Sequence, residues 1–345
     1  MVYDLNGAAL CTTTSSRSAL NVLNYGFKAD GVTDNLAAFN ALLVNHPAET
    51  LYFPKGVYVF SGKLVFERCY VELDNAELKC TAPSKVDRFI EIRGKIYPPE
   101  TPQQDMFIRG NGKINANFRA DDAIALARQK HTTLDGISIQ NFQRYGICGR
   151  FEDASLGTNL SYELMVHNCL IENSLDYPDA VGIYDTGDST FSDTILLNVK
   201  TALSCSGSSV FHNVHAWCFD FDGNTDAKRT ELLTDTVFAY IRANGTRFSD
   251  CYCDTYQKGF QFAAGQYYVN LSAFKWFINT ETWPAGLTAY VFPVSPSGTA
   301  MYKVFGADIN GRGVTRFSDA DLSSQTNCRW YGVVHNLSDA PSTLQ

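Results

Sequence analysis

Apolar and polar residues alternate along this chain in short runs, and six of those runs follow one template. Residues 134–139, 166–171, 191–196, 211–216, 248–253 and 268–273 each open with a large apolar side chain and a variable one. Gly, Asn or Asp follows, and then the alternation continues. A period of two over so few residues predicts β-strands. The third template position carries Gly136, Asn168, Asp193, Asn213, Asp250 and Asn270, spaced 32, 25, 20, 37 and 20 residues apart. A recurrence of this size predicts a solenoid whose coils carry loops of variable length. Asn, Asp and Gly tolerate tight turns, and Asn and Asp side chains bond neighbouring backbone groups. Stacked in register they predict a polar ladder, so its aspartates read as structural and not catalytic. His167 and His212, in the variable second position, read as structural too.

A second strand follows in several coils, at residues 145–148, 181–184, 201–204 and 258–262, with small residues recurring where a corner or a close approach is needed. Strands this short cannot bury a face alone and become stable by stacking. The fold class expected is therefore all-β, a right-handed parallel β-helix. Its open end needs a cap, and residues 34–45 predict a short helix, N-capped by Asp34 or Thr33, with Leu36, Phe39, Leu42 and Leu43 near one face. The stretch LYFPKGVYVF at 51–60 then alternates and turns at Pro-Lys-Gly, as first strands do. The expected division is an N-terminal extension over 1–20, the capped β-helix over 21–280, and a segment over 281–345. That last segment is richer in Pro, Ser and Gly, and reads as a C-terminal cap or trimer contact.

Composition narrows the partners. The 345 residues are 45% hydrophobic, ample for a large core, and 36 acidic against 28 basic residues give a net charge of −8 without a basic stripe. Nucleic acid is not an expected partner. No run of about 18 apolar residues occurs and the N-terminus lacks a basic region followed by an apolar one, so neither membrane insertion nor a signal peptide is expected. Ten cysteines fit no zinc spacing. Cys251 and Cys253 fall on one face of a strand as small apolar side chains, and maturation in a reducing compartment follows.

Alternation also ranks the exposed positions. With the fourth and sixth template positions inward, the fifth and seventh face out. The outward pairs are Ser138 and Gln140, Leu170 and Glu172, Ile195 and Leu197, His215 and Trp217, Tyr252 and Asp254, then Ser272 and Phe274. Flat rings suit the apolar faces of sugars, while carboxylates and histidine suit hydroxyl recognition or proton transfer. The competing reading is that loops or a subunit partner cover these rings as ordinary packing. Glu172 and Asp254 lie three rungs apart, roughly 14 Å, too far for a carboxylate pair that must sit roughly 5–9.5 Å apart. A further acid is needed, and the longest gap in the ladder supplies Asp220 and Asp222, with Lys228 or Arg229 to neutralise a substrate carboxylate.

The candidate catalytic residues are thus Glu172, Asp220, Asp222 and Asp254, with His215, Trp217, Tyr252 and Arg229 for substrate. The same loop partly fits a calcium pattern through Asp220, Asp222, Asn224, Asp226 and Glu231, but Thr225 replaces the glycine expected at its sixth position. No cofactor is otherwise expected. Asp185 and Asp188 can line a groove, though DTGDS is also ordinary turn chemistry.

The stretch YGFKADGVTD at 25–34, the short helix and LYFPKG at 51–56 together resemble the N-terminal signature of the pectate-lyase-like β-helix superfamily. GNGKI at 110–114 resembles its usual early coil. HAW at 215–217, FSDCYCDT at 248–255 and Gly259-Phe260 resemble the body of bacteriophage tailspikes and capsule depolymerases. The resemblance implies a homotrimer on a virion tail, working outside the cell on a bacterial surface polysaccharide, or a secreted bacterial enzyme whose signal has been removed. It implies glycoside hydrolysis, with a polysaccharide lyase or a non-cutting glycan-binding or structural tail protein as alternatives, because the fold alone does not settle the reaction. Asn224-Thr225-Asp226 resembles the polygalacturonase Asn-Thr-Asp, but Ala227 replaces the usual glycine and the companion Gly-His-Gly does not occur.

Overall fold

The structure is a computed structural model that describes residues 19–47, 49–67, 70–94, 103–104, 106–151, 161–219, 223–263, 268–293, 301–312, 314–318 and 329–337. Three long sheets form the walls, two of 12 strands and one of 10, and every pairing is parallel between successive coils. Each coil runs from a first-sheet strand through a tight turn into the second sheet, then round a corner into the third. This is the parallel β-helix that the repeat predicts.

Stacking of like on like fills the interior. On the first sheet Leu134, Val166, Phe191, Phe211, Phe248 and Leu271 occupy one column. The rings of Phe191, Phe211 and Phe248 stack with centroids 4.6 and 4.9 Å apart. On the second sheet Ile139, Ile171, Leu196, Ala216, Cys253 and Trp276 form another column, all buried. Among the described residues six free cysteines, including Cys251 and Cys253, lie within this packing, and Cys148 is buried in a separate cluster with Ala125, Ala127 and Phe151. Burial pushes the Cys251 thiol up to about 12.

The turn between the first two sheets explains the template. Asn168, Asp193, Asn213 and Asp250 all adopt left-handed backbone, with φ between 49° and 55°. Their amides donate to the carbonyls of Ser192, His212, Ser249 and Ser272 on the following coil. Asn213 Nδ2 also donates to Asp193 Oδ1 at 2.7 Å. At Gly136, with φ 71°, a Cβ would meet the Gly110 carbonyl oxygen at 2.3 Å, so glycine is needed there. The ladder aspartates are coil glue, as expected, but the sixth rung is not where the template puts it. Leu271 and not Tyr268 holds the large apolar position, and Ala273, with φ 51°, takes the turn. Phe274 therefore points inward with no exposure, Ser272 stays on the first sheet, and Lys275 and Phe277 form the outward pair. The three-residue slip arises because residues 268–273 fit the template in sequence while the longer first-sheet strand Tyr268–Ser272 pairs one half-turn later.

The cap is present as the helix Leu36–Asn45, which buries Phe39 and Leu42. Asn35 rather than Asp34 or Thr33 occupies its N-cap position, while Asp34 Oδ1 accepts from the amides of Leu36 and Ser61 at 3.1 and 2.9 Å. The sheets do not stop at residue 280. Strands Met301–Phe305, Asp308–Asn310, Arg329–Tyr331 and Val334–His335 extend the first two walls, with Gly306 and Gly332 in the ladder turn. Gly306 and Gly332 satisfy the template as Gly136 does, so residues 304–309 and 330–335 carry the same signal past the boundary expected at 280.

On the outer face of the third sheet Glu91 is fully buried and accepts from Lys63 Nζ at 2.8 Å, Arg88 Nε at 2.7 Å and Arg93 Nε at 2.8 Å. Burial alone would raise its pKa, but these hydrogen bonds outweigh it and hold the carboxyl below its ordinary value.

Two stability predictions follow from these turns and this ion cluster. Ala273→Gly relieves a left-handed alanine and should raise stability by about 0.5–1 kcal/mol in denaturant unfolding. Glu91→Gln leaves three cations facing a neutral group and should cost about 3 kcal/mol at neutral pH. Because the folded-state pKa of Glu91 is depressed, that difference should shrink as pH falls below the unfolded value of 4.5. Urea midpoints measured across pH check both the size and the sign.

Candidate functional site

The second-sheet strands His215–Trp217, Tyr252–Asp254 and Lys275–Phe277 are three residues long with the middle one buried, so their first and third side chains leave the core. Register places His215, Tyr252 and Lys275 in one column, and Trp217, Asp254 and Phe277 in the next. The rings lie on one another. His215 stacks on Tyr252 at 4.5 Å and 11°, lies near parallel to Trp217 at 6.0 Å, and Trp217 meets Phe219 at 4.6 Å. The Arg312 guanidinium sits 4.3 Å over the Phe277 ring. This stacking leaves the strip half-buried although it faces outward.

Its polar groups carry the cost of that burial. Asp254 is only 8% exposed; burial raises its pKa against the hydrogen bonds from Thr255 and Tyr252 and the nearby Arg312 charge. Thr255 Oγ1 donates to Oδ1 at 2.5 Å and Tyr252 Oη to Oδ2 at 3.4 Å. Burial and the Asp254 charge push Tyr252 up to about 12. His215 is held below its ordinary pKa by burial, and among the described residues its Nε2 has no hydrogen-bond partner. The strip thus combines a carboxyl inclined to keep its proton with a neutral imidazole and four flat rings.

Of the residues singled out from sequence, the structure brings together His215, Trp217, Tyr252 and Asp254. Glu172 shares the column of Asp254 but lies three rungs away, beyond Leu197 and Trp217, and its carboxylate accepts from Gln140 Nε2 at 2.8 Å. Asp220 and Asp222 lie outside the described residues. The segment read as an acidic loop to 231 is instead helical from Asp226 to Leu233, with Thr225 as N-cap accepting from the Lys228 amide at 3.3 Å. Asn224-Thr225-Asp226 is therefore the start of a helix, and the polar spacing suits capping. Lys228 is engaged by Asp176 and Glu231, both at 3.0 Å. Arg229 lies 3.7 Å from Asp226 on the same helix. Of the residues in the calcium pattern, Asp226 and Glu231 lie on this helix, while Asp220 and Asp222 fall outside the described residues. Asp185 is 1% exposed and accepts from the amides of Gly187 and Ser206 at 2.9 and 3.0 Å, so it ties two coils rather than lining a groove.

Sequence reasoning missed the outer face of the third sheet. Tyr145 and Tyr184 pair at 4.9 Å, and Arg144 and Arg242 lie 4.9 and 4.1 Å over their respective rings. Arg144 Nε and Nη2 make a two-point pair with buried Asp122, both at 2.8 Å. Alternation with Ile147 and Ile183 inward marks Tyr184 as outward but gives Tyr145 the inward parity, so that signal reaches only one of the two. Phe219 and Phe277, which complete the second-sheet strip, lay beyond the template as aligned.

Comparison with known proteins agrees with this geometry. Residues 19–73 match the family described as rhamnogalacturonase A/epimerase, pectate lyase-like. No curated protein sequence matches. Among solved structures, the N-terminal fragment of bacteriophage phi29 gene product 12 superposes with TM-score 0.62 at 12% identity, over 93% of this chain and 63% of that one. The tailspike of E. coli bacteriophage HK620, solved in complex with a pentasaccharide, gives TM-score 0.61 at 10% identity, over 93% and 67%. Endo-xylogalacturonan hydrolase from Aspergillus tubingensis gives 0.55 at 12%, over 92% and 96%. The chain thus spans less than two thirds of the phi29 fragment. The protein has the right-handed parallel β-helix fold that these structures share, and its N-terminal residues resemble the pectate-lyase-like family model.

The buried acid of the strip generates a stability test. Since burial raises the folded-state pKa of Asp254, its charge opposes folding once pH exceeds the unfolded value of 3.8. Asp254→Asn should therefore raise the thermal midpoint at pH 7 and lose that advantage near pH 3, where the parent carboxyl is also neutral. Calorimetry at the two pH values checks it.

Proposed function

We propose that the protein is a carbohydrate-active, tailspike-like protein that grips a bacterial surface polysaccharide on the second-sheet strip and cleaves it by glycosidic hydrolysis. The observation that carries this is the run of stacked rings, His215, Trp217, Phe219 and Tyr252, beside a carboxyl whose pKa burial raises. Stacked rings offer a sugar a flat apolar platform at low conformational cost. Burial that raises a carboxyl's pKa favours its protonated form, the form from which a leaving-group oxygen is protonated. Asp254 is assigned as that general acid, with Tyr252 and Thr255 orienting it.

Hydrolysis also needs a base or nucleophile on the other side of the bond. Glu172 is too distant in the same column, so the second acid is assigned to Asp220 or Asp222, which follow Trp217 and Phe219 directly in sequence. The virion-tail, host-surface part of this reading draws on the phage proteins whose structures this chain resembles; assembly as a homotrimer is proposed with it, and the segment after residue 281 is assigned to that contact.

One observation favours binding without turnover: Asp254 is nearly enclosed, its two oxygens already hydrogen-bonded. Incubation with capsular and pectic polysaccharides separates the readings. New reducing ends without the ultraviolet absorbance of an unsaturated uronate mark a hydrolase; both signals mark a lyase. Binding with neither signal leaves a glycan-binding protein. Trp217→Ala should weaken glycan binding by at least about tenfold, as loss of a central aromatic anchor does. Asp254→Asn should retain binding while reducing cleavage by about a hundredfold or more, the scale of lost general-acid catalysis. Full cleavage by Asp254→Asn sinks the assigned role.

A further inference from the structure

The first sheet carries its own outward column, unrelated to the strip. From the N-terminal coils upward it reads Tyr52, Glu72, Arg109, Asp135, His167, Ser192, His212, Ser249 and Ser272 before ending in Phe305 and Tyr331. A column of outward side chains at a spacing of about 4.8 Å repeats as an extended polymer does. Every member before the last two can hydrogen-bond, and neighbours pair along it. His167 Nδ1 meets Ser192 Oγ at 2.7 Å, and His212 Nδ1 meets Ser249 Oγ at 2.9 Å. Phe305 and Tyr331 stack at 5.1 Å and 7°, each 48% exposed.

At its lower end the column opens into a cleft of about 380 Å³ lined by Tyr52, Glu72, Asp74, Arg109 and Asp135, with Gly110 and Gly136 at the turn. Its side chains are held in place. Arg109 lies 4.4 Å over the Phe107 ring and pairs with Glu72; Tyr52 Oη donates to Asp74 Oδ2 at 2.9 Å; Asn168 Nδ2 donates to Asp135 Oδ1 at 3.2 Å. With Arg109 matched by Glu72, Asp74 and Asp135 remain as net negative charge. A carboxylate has about four acceptor sites, so both retain capacity for further donors.

We propose that this cleft and column form a second glycan site, selective for neutral or amino-bearing sugars over acidic ones. Sugar hydroxyls and ammonium groups donate to Asp74 and Asp135, the Arg109 guanidinium donates to ring or hydroxyl oxygens, and the chain continues over the His–Ser pairs towards the Phe305–Tyr331 platform. An acidic glycan would bring carboxylates against carboxylates, at a cost that water-exposed screening only partly removes. From Asp135 to Ser249, level with Tyr252 in the strip, is four rungs, roughly 19 Å, and the two faces belong to different sheets. The site therefore stands or falls independently of cleavage at the strip.

Titration calorimetry of the full chain with a glucosamine hexamer, cellohexaose and hexagalacturonate tests it, using Asp135→Asn, Glu72→Gln and Trp217→Ala alongside the parent. The glucosamine hexamer or cellohexaose should bind at least tenfold tighter than hexagalacturonate. Asp135→Asn should weaken that binding at least tenfold, and Glu72→Gln measurably. Unchanged circular dichroism confirms that each variant is folded. Tighter binding of the glucosamine hexamer than of cellohexaose shows that ammonium groups are read; equal binding shows that hydroxyls suffice, and both support the site. No binding of either hexamer, equal binding of hexagalacturonate, or loss through Trp217→Ala with Asp135→Asn unaffected would overturn it. A failure of the strip reading would appear separately, as Trp217→Ala indistinguishable from the parent in polysaccharide binding.

Discussion

Everything in this molecule depends on coil-to-coil hydrogen bonding held in one register. A strand of three residues has too little area to be stable by itself, and two flanking coils supply both its backbone partners and its apolar cover. Register is what makes outward columns possible, because a slip of one residue would exchange inside for outside. The left-handed residues between the first two sheets fix that register. Asn168, Asp193, Asn213 and Asp250 turn the chain at the same height in every coil, and their amides bond the coil above.

The core and the surface columns are two products of the same alternation. Inward, it stacks Phe191, Phe211 and Phe248 face to face. Outward, it stacks His215 on Tyr252 and brings Phe277 beneath Arg312. A residue two positions along changes its column but not its face, so chemistry on the strip is set by rung height as much as by residue type. This is why Glu172 and Asp254, both outward and in the same column, remain separate while Asp254, Tyr252 and Thr255 form a unit.

The architecture was legible in the sequence because it is written in repetition, and repeated signals reinforce one another. The N-terminal helix, the ladder turns and the identity of the inward residues followed from period and residue type. Where one rung departed from the type, the reading slipped: Ala273 carries no signature of a left-handed turn, and Asn270 three residues earlier does. The later coils at Gly306 and Gly332 fit the same template as Gly136 and were left out only because the repeat was not followed past residue 280. The candidate site was half legible. Alternation found His215, Trp217, Tyr252 and Asp254, but it could not show that Thr225 caps a helix, that Lys228 is occupied by Asp176, or that Asp254 lies nearly enclosed. The Lys228–Asp176 contact joins residues 52 positions apart, which no local pattern encodes, whereas the Thr225 cap is local, three residues from Lys228, and was read as loop chemistry instead. Tyr184 was missed for a simpler reason, since alternation was applied to one strand of each coil and not to the other; Tyr145, two residues from inward Ile147, departs from strict alternation.

The coil that contains the helix Asp226–Leu233 is longer than its neighbours, yet the strands on either side of it pair in unbroken register, Thr201 with Val237 and His215 with Tyr252. The added segment leaves at one corner and returns to the same level, anchored by Lys200 donating to the Leu232 carbonyl at 2.8 Å. Corners of this kind are ports: sequence can be gained, lost or exchanged there without retuning the stack. Selection can rewrite what hangs over the walls while the scaffold that displays it stays fixed.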